Sequence, residues 1–182
     1  MTATTIVTPR LILAPLRAED APAVFAYRSD PDVSRYQSWI PSSAEEVADF
    51  IDGLGSLAFD TPGTWYQLGI RMKDPESLVG DVGVHFPADD PRQAEIGFTV
   101  MPAYQRRGIA TEAVEGLLGH LFGKLGKHRA FASADPRNAA SVAVLKRVGM
   151  RQEAHFRESL MFKGEWVDDL VFAILASEWN AR

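Results

Sequence analysis

The sequence predicts a mixed α/β fold built on one sheet, with residues 1–182 as a single domain. Two runs alternate apolar and polar residues with period two, and two others carry apolar stripes at helical spacing. The segments follow as strand, helices, meander, helix, strand, helix, hairpin. Arg10 to Leu16 reads RLILAPL, a strand near a sheet edge because Pro15 cannot donate to a ladder. Glu19 to Ser29 reads as a short helix, stopped before Pro31. Ser42 and Ser43 stand three residues before Glu45 and Glu46. These are two overlapping capping boxes, opening a helix through Val47, Phe50, Ile51 and Leu54.

The period then changes. Trp65 to Met72 is a strand and Lys73 to Glu76 a turn. In Leu78 to Phe86, Val82, Val84 and Phe86 face one way and Asp81, Gly83 and His85 the other. After a second turn at Asp89-Asp90-Pro91, Ala94, Ile96, Phe98 and Val100 oppose Glu95, Gly97 and Thr99. This is an antiparallel meander. A break at Pro102 precedes a helix from Gly108, with a stripe of Ile109, Ala113, Val114, Leu117, Leu118, Leu121 and Phe122. Arg129 to Ala134 is a short strand. Asn138 to Val148 is a helix with Ala140, Val144, Leu145 and Val148 inward and Gly149 past its end. Two strands close the chain, about Arg151 to Glu158 and Trp166 to Leu175.

Composition narrows the function classes. Hydrophobic residues are 46% and charged residues 24%, as in a globular chain. A net charge of -5 gives no general attraction for nucleic acid or an anionic membrane. With no cysteine, disulfides, thiol nucleophiles and cysteine-based zinc sites are excluded, which suits a reducing, cytoplasmic compartment. Met1 to Arg10 lacks the apolar core of a signal peptide, and no run approaches the ~20 apolar residues of a membrane span.

The most informative stretch is Glu95 to Ala113. A strand runs into Gln105-Arg106-Arg107-Gly108-Ile109-Ala110, which opens a helix. A helix start has unpartnered N–H groups and the positive end of the dipole. A phosphate there accepts those hydrogen bonds. Gly108 lets the backbone approach, Ala110 stays small, and Arg106 and Arg107 add charge. The loop reads as a diphosphate cradle. The same residues also fit a plain helix start with two solvated arginines. The Gly-Lys-Ser/Thr ending of a nucleotide P-loop is missing, as is G-x-G-x-x-G.

Gln105-x-x-Gly108-x-Ala110 between strand and helix resembles motif A of the GNAT acetyltransferases. Thr8-Pro9-Arg10-Leu11, Tyr36 to Pro41, Leu78-Val79-Gly80, Glu95-Ile96-Gly97, Asn138-Ala139-Ala140-Ser141 and Gly164-Glu165-Trp166-Val167-Asp168 follow the same pattern in order. Together they resemble the RimJ/RimL branch over nearly the whole chain. The resemblance implies the GNAT fold: a largely antiparallel central sheet, flanking helices, and a parallel strand pair splayed to admit acetyl-CoA. It implies that the backbone of Phe98, Thr99 and Val100 pairs with the pantetheine arm. Arg106, Arg107, Gly108, Ile109, Ala110 and Thr111 would hold the phosphates, Asn138 would lie by the pantetheine arm, and Ser141 near the thioester sulfur.

Amide formation needs a neutral amine, a polarised thioester carbonyl and a stabilised thiolate. An α-amine has a pKa of roughly 8, a lysine about 10.4, so a base helps the second more than the first. Glu95 is the first candidate base. His85 and Asp81 fall on the like face of the preceding strand and are the others, with His85 also a candidate for binding the acceptor. All three also fit a satisfied cross-strand network. Many GNAT enzymes use a tyrosine as the acid. This helix has none, and Ser141 fills the position as a hydroxyl that stabilises departing charge. Asn138 also fits a plain N-cap. Tyr36, Trp39 and Trp65 are acceptor-pocket candidates or core aromatics, and Asp168 closes a turn or a local ion pair. His120, His128 and His155 lack partners at metal-ligand spacing, so no metal is expected.

The expected function is acetyl transfer from acetyl-CoA to a primary amine in a ternary complex. The acceptor is a protein N-terminus, as in ribosomal-protein acetyltransferases, or a small amine such as an amino acid, polyamine or aminoglycoside. The alternative is a non-catalytic CoA-binding sensing module. A homodimer is the expected assembly.

Overall fold

Strand alternation decides which sheet faces are apolar, and helices cover both. The structure, a computed structural model, describes residues 4–182. Its eight-stranded sheet runs in the order β1-β2-β3-β4-β5-β6-β8-β7. The strands are β1 (Ile6–Val7), β2 (Leu11–Pro15), β3 (Thr64–Lys73), β4 (Glu76–Phe86), β5 (Gln93–Val100), β6 (Arg129–Ala134), β7 (Arg151–Phe162) and β8 (Glu165–Leu175). The helices are α1 (Ala21–Arg28), α2 (Pro31–Ser34), α3 (Ala44–Gly55), α4 (Ile109–Gly123), α5 (Ala139–Arg147) and α6 (Ala176–Asn180). Every neighbouring strand pair is antiparallel except β5 with β6. This is the largely antiparallel sheet with one parallel pair that the family resemblance implies.

The stripe read on α4 is its buried face. Ile109, Ala113, Val114, Leu117, Leu118, Leu121 and Phe122 pack with Val82, Val84, Phe86, Ala94 and Ile96. Each large side chain buried stabilises by roughly 1.5–3 kcal/mol. That packing fixes α4, and with it the loop at its N-terminus. On the opposite sheet face, Leu16, Ala21, Val24, Tyr27, Val47 and Ile51 form a second cluster under α1 and α3.

The sheet splits between β5 and β6. β4 pairs with β5 from Glu95 to Val100, but β6 pairs with it only over Gln93 to Glu95. β8 holds β6 from Arg129 to Ala134, so β6 follows β8 away from β5. On the other side β5 is pressed onto β4, because a Cβ at Gly80 would sit 2.2 Å from the Thr99 carbonyl oxygen. Only a glycine admits that approach.

Several elements differ from the sequence reading. β1, α2, α6 and 3-10 turns at Ala18–Asp20 and Pro102–Tyr104 are additional. β1 reaches only to Leu13, so Pro15 lies past the paired stretch on that side. The first turn expected for α1 is 3-10. There the Asp20 carboxylate accepts the Arg17 N–H at 2.7 Å and pairs with the buried Arg71. The two overlapping boxes at α3 resolve into one cap: Ser43 accepts the Glu46 N–H at 3.2 Å, while Glu46 turns back to Ser42 N–H at 2.8 Å. β7 runs past Glu158 to Phe162 through a bulge, with Glu158 at φ 44°. Asp168 fastens that bulge by accepting the Glu158 N–H at 2.9 Å, and pairs with His155 at 2.6 Å. This is the local role expected of it. Ala140, expected inward, is exposed, because the inward side of α5 runs through Ser141, Leu145 and Val148.

Candidate active site

A cleft of about 560 Å³ opens at the split between β5 and β6, on the α1 and α3 side. Register lays its floor. Trp65, His85 and Glu95 lie side by side across β3, β4 and β5. Gln67, Gly83 and Gly97 form the next row, and Gly69, Asp81 and Thr99 the third. The parity read from sequence is therefore present: Asp81, His85, Glu95 and Thr99 share one face. Gly97 leaves open space on this face, since a Cβ there would meet nothing within 4 Å, whereas the Gln67 and Trp65 side chains close over Gly83.

The acidic candidates divide by their partners. Asp81 is fully buried and receives Arg28 Nη2 at 2.6 Å, Gln67 Nε2 at 2.5 Å and the Tyr27 hydroxyl. The satisfied network describes Asp81. Glu95 has a looser partner, His85 Nδ1 at 3.5 Å from its Oε2. Burial pushes the Glu95 carboxyl above its ordinary range; His85 opposes this, and the nearby Asp169 adds to it. A half-buried carboxyl with raised proton affinity suits a base working near neutral pH. Trp65 stacks on the His85 ring with centroids 5.2 Å apart.

The loop before α4 leaves backbone amides free at a helix start. Gly108 caps the helix at φ 75°, and Arg106 also takes a positive φ, 58°. The first intrahelical bond runs from Glu112 N–H to the Gly108 carbonyl at 3.0 Å. The amides of Ile109, Ala110 and Thr111 precede it and have no helical acceptor. Arg106 and Arg107 are exposed beside them. Gln105 ties the loop to β5 by donating Nε2 to the Val100 carbonyl at 3.0 Å.

A brace that the sequence reading did not anticipate holds this loop from behind. Arg10 donates Nη1 to the Arg107 carbonyl at 3.0 Å and Nε to Glu112 Oε2 at 2.5 Å. The Arg10 N–H and the Thr8 hydroxyl each reach Glu112 Oε1 at 2.7 Å. The Thr8-Pro9-Arg10 run thus has a mechanical reason. Glu112 sits in the first turn of α4, where its charge also suits the dipole.

The edge of β5 facing the gap has its own pattern. Met101 N–H donates to the Val79 carbonyl at 2.9 Å. Strand alternation then aims the main chain of Thr99 at β4, and that of Phe98 and Val100 at the opening. Of the three expected residues, Phe98 and Val100 offer backbone groups there. Thr99 presents its side-chain face.

Across the gap, Asn138 caps α5 by accepting the Ser141 N–H at 3.2 Å. Both residues line the cleft, so Asn138 is cap and wall together. Tyr36 donates its hydroxyl to the Arg137 carbonyl at 3.2 Å. Trp39 bonds Glu46 at 3.1 Å and packs on Phe50 at 4.6 Å between centroids. Tyr36, Trp39 and Trp65 all line the cleft. Arg28, Gln67 and Asp169 line it too, and were not anticipated. Asp169 accepts the Ser133 hydroxyl. Parity with Val167 and Val171 was the available signal, but it needs the β6–β8 register to connect it to Glu95. Among the described residues no group of three His, Cys, Asp or Glu could hold a metal ion, and no helix is long and apolar enough to cross a membrane.

Comparison with known proteins fits this geometry. A family model described as an Acetyltransferase (GNAT) domain matches residues 10–151. An uncharacterised N-acetyltransferase of Bacillus subtilis, YnaD, is 31% identical over 176 residues, covering 96% of this chain and 99% of that protein. A GNAT-family acetyltransferase of Bacillus anthracis superposes with a TM-score of 0.85 at 27% identity, covering 96% and 100%. Mycobacterium smegmatis RimJ, solved in complex with CoA-disulfide, gives 0.82 at 27% identity, covering 97% and 88%.

Proposed function

The chain belongs to the GNAT acetyltransferases, and from that premise we propose that it moves an acetyl group from acetyl-CoA to a primary amine held in the cleft over Gly97, by direct attack in a ternary complex. Acetyl-CoA supplies the acetyl group activated as a thioester. The amides of Ile109, Ala110 and Thr111, with Arg106, Arg107 and Gly108, bind its diphosphate. Phe98 and Val100 offer backbone groups to the pantetheine arm, and Asn138 flanks it. Glu95 takes the proton from the attacking nitrogen, directly or through a water, and His85 supports it. The nitrogen–carbon bond forms as the carbon–sulfur bond breaks. The Ser141 hydroxyl stabilises the departing sulfur.

The single observation that carries this reading is the limited β5–β6 pairing, three residues long, next to an αL-capped helix start. It leaves free strand edge and free amides side by side, which is what a long anionic thioester requires. The acceptor is a peptide N-terminus or a small-molecule amine. The cysteine-free chain suits the cytoplasm. A homodimer is supported by β7, the last strand of the sheet, whose hairpin exposes Phe156, Leu160, Met161 and Trp166.

The test is thiol release. The protein is mixed with acetyl-CoA and a panel of amines and peptides, and free CoA is measured. Release that depends on the amine supports the reading. Tight binding with no release for any amine would leave a CoA-binding module instead.

A further inference from the structure

The walls of the cleft carry an uneven charge. Asp81, Glu95, Asp135, Asp168 and Asp169 line it, against one guanidinium, Arg28. Most of these carboxylates are already matched. Arg28 takes Asp81 at 2.6 Å, Arg137 takes Asp135 at 2.6 Å, and His155 takes Asp168 at 2.6 Å. Glu95 faces His85. Asp169 differs: its side chain accepts the Ser133 hydroxyl, and among the described residues it has no ion-pair partner. It is half-buried and shares the cleft with Glu95. A carboxylate in a cleft with no cation beside it can take its counter-charge from a ligand.

The aromatic lining points the same way, independently of the carboxylates. Trp65 is 47% exposed at the cleft although it is large and apolar. Tyr36, Trp39, Phe50, Phe98 and Phe162 are the other aromatic side chains of the lining. Arg28 already lies over the Trp39 ring at 5.2 Å and His85 covers one face of Trp65, so the exposed remainder of Trp65 is the aromatic surface that suits an alkylammonium.

Resting on the acetyl-transfer reading, we infer that the acceptor carries a second positive charge beyond the nitrogen that reacts, and that Asp169 is the specificity-determining residue that holds it. The ordinary acceptor is then a small diamine or another amine with a cationic arm. An acceptor with a carboxylate at that position is repelled by Asp169 and Glu95.

Three probes of nearly equal length separate the possibilities: 1,4-diaminobutane, butylamine and 4-aminobutanoate. Two readouts are taken, CoA release and calorimetric binding to the protein saturated with CoA. The diamine is expected to exceed butylamine by about tenfold in kcat/KM and in affinity, the size of one charged hydrogen bond. The aminobutanoate is expected to be the weakest. Asp169→Asn should bring the diamine-to-butylamine ratio close to one, and Asp169→Glu should restore much of it. Acetyl-CoA affinity, measured alongside, reports that the variants are folded. Equal use of diamine and butylamine, or a preference that survives Asp169→Asn, overturns the inference while acetyl transfer stands. A preference for aminobutanoate also overturns it, and would direct attention to Arg35 and Lys163 in the adjoining pocket. No CoA release or binding with any of the three probes also overturns the inference, and no release with the wider panel of amines and peptides removes the acetyl-transfer reading itself.

Discussion

Of the carboxylates that strand parity puts on the cleft face of β4 and β5, Asp81 is surrounded by donors and Glu95 has room for a proton. Glu95→Gln keeps the size and removes the basicity. We expect kcat to fall by roughly 10²-fold, the usual scale for a lost general base, with acetyl-CoA affinity unchanged. In the wild type the acidic limb of the pH–rate profile should lie above the ordinary value of 4.5, because burial raises this carboxyl and a base must be deprotonated to act. A limb at the ordinary value would contradict the role. Gly108 makes a second test. Its φ of 75° is strained for any side chain, and most for a β-branched one. Gly108→Val should raise the dissociation constant of acetyl-CoA about tenfold or more while far-UV circular dichroism stays unchanged. At this scale the sequence was informative. Glu95 could be placed on the cleft face and Gly108 at the helix start because alternation and helix starts are local rules. Asp169 could not, because its neighbour Ser133 is 36 residues away.

Among the elements, α4 and its loop carry the most weight. The apolar stripe fixes the helix on the sheet, and the Arg10–Glu112 brace fixes the loop on the helix. Burial alone would raise the Glu112 carboxyl, but bonds from Thr8 and Arg10 hold it below its ordinary value. Its contribution to stability is therefore full above the unfolded value of 4.5 and is lost as pH falls through the lower folded value. Arg10→Ala should lower Tm modestly and raise KM for acetyl-CoA several-fold, with kcat less affected. An unchanged KM would make the brace a matter of stability alone. The stripe was legible because helical periodicity is local. The brace was not, since it joins residues 102 apart. α1 began later than expected for a related reason: Asp20 is drawn to Arg71, on a strand the local pattern cannot see.

For the molecule as a whole, alternation and turn chemistry foretold a meander and a hairpin, but not that β8 inserts between β6 and β7. That order follows from which apolar faces find each other over long separations. It also leaves β7 as a twelve-residue edge with apolar side chains in the open. If a second copy covers this edge, sedimentation should give twice the chain mass, and Leu160→Asp combined with Trp166→Asp should give the monomer. Monomeric wild-type protein at micromolar concentration would contradict the homodimer. The split sheet itself matters most, because the donor and the acceptor both depend on it. The most direct test follows the backbone amides by NMR during titration with acetyl-CoA. The account predicts the largest shifts at Gly108, Ile109, Ala110, Thr111, Phe98 and Val100. Binding that leaves those amides unmoved, or shifts confined to the other sheet face, would contradict it.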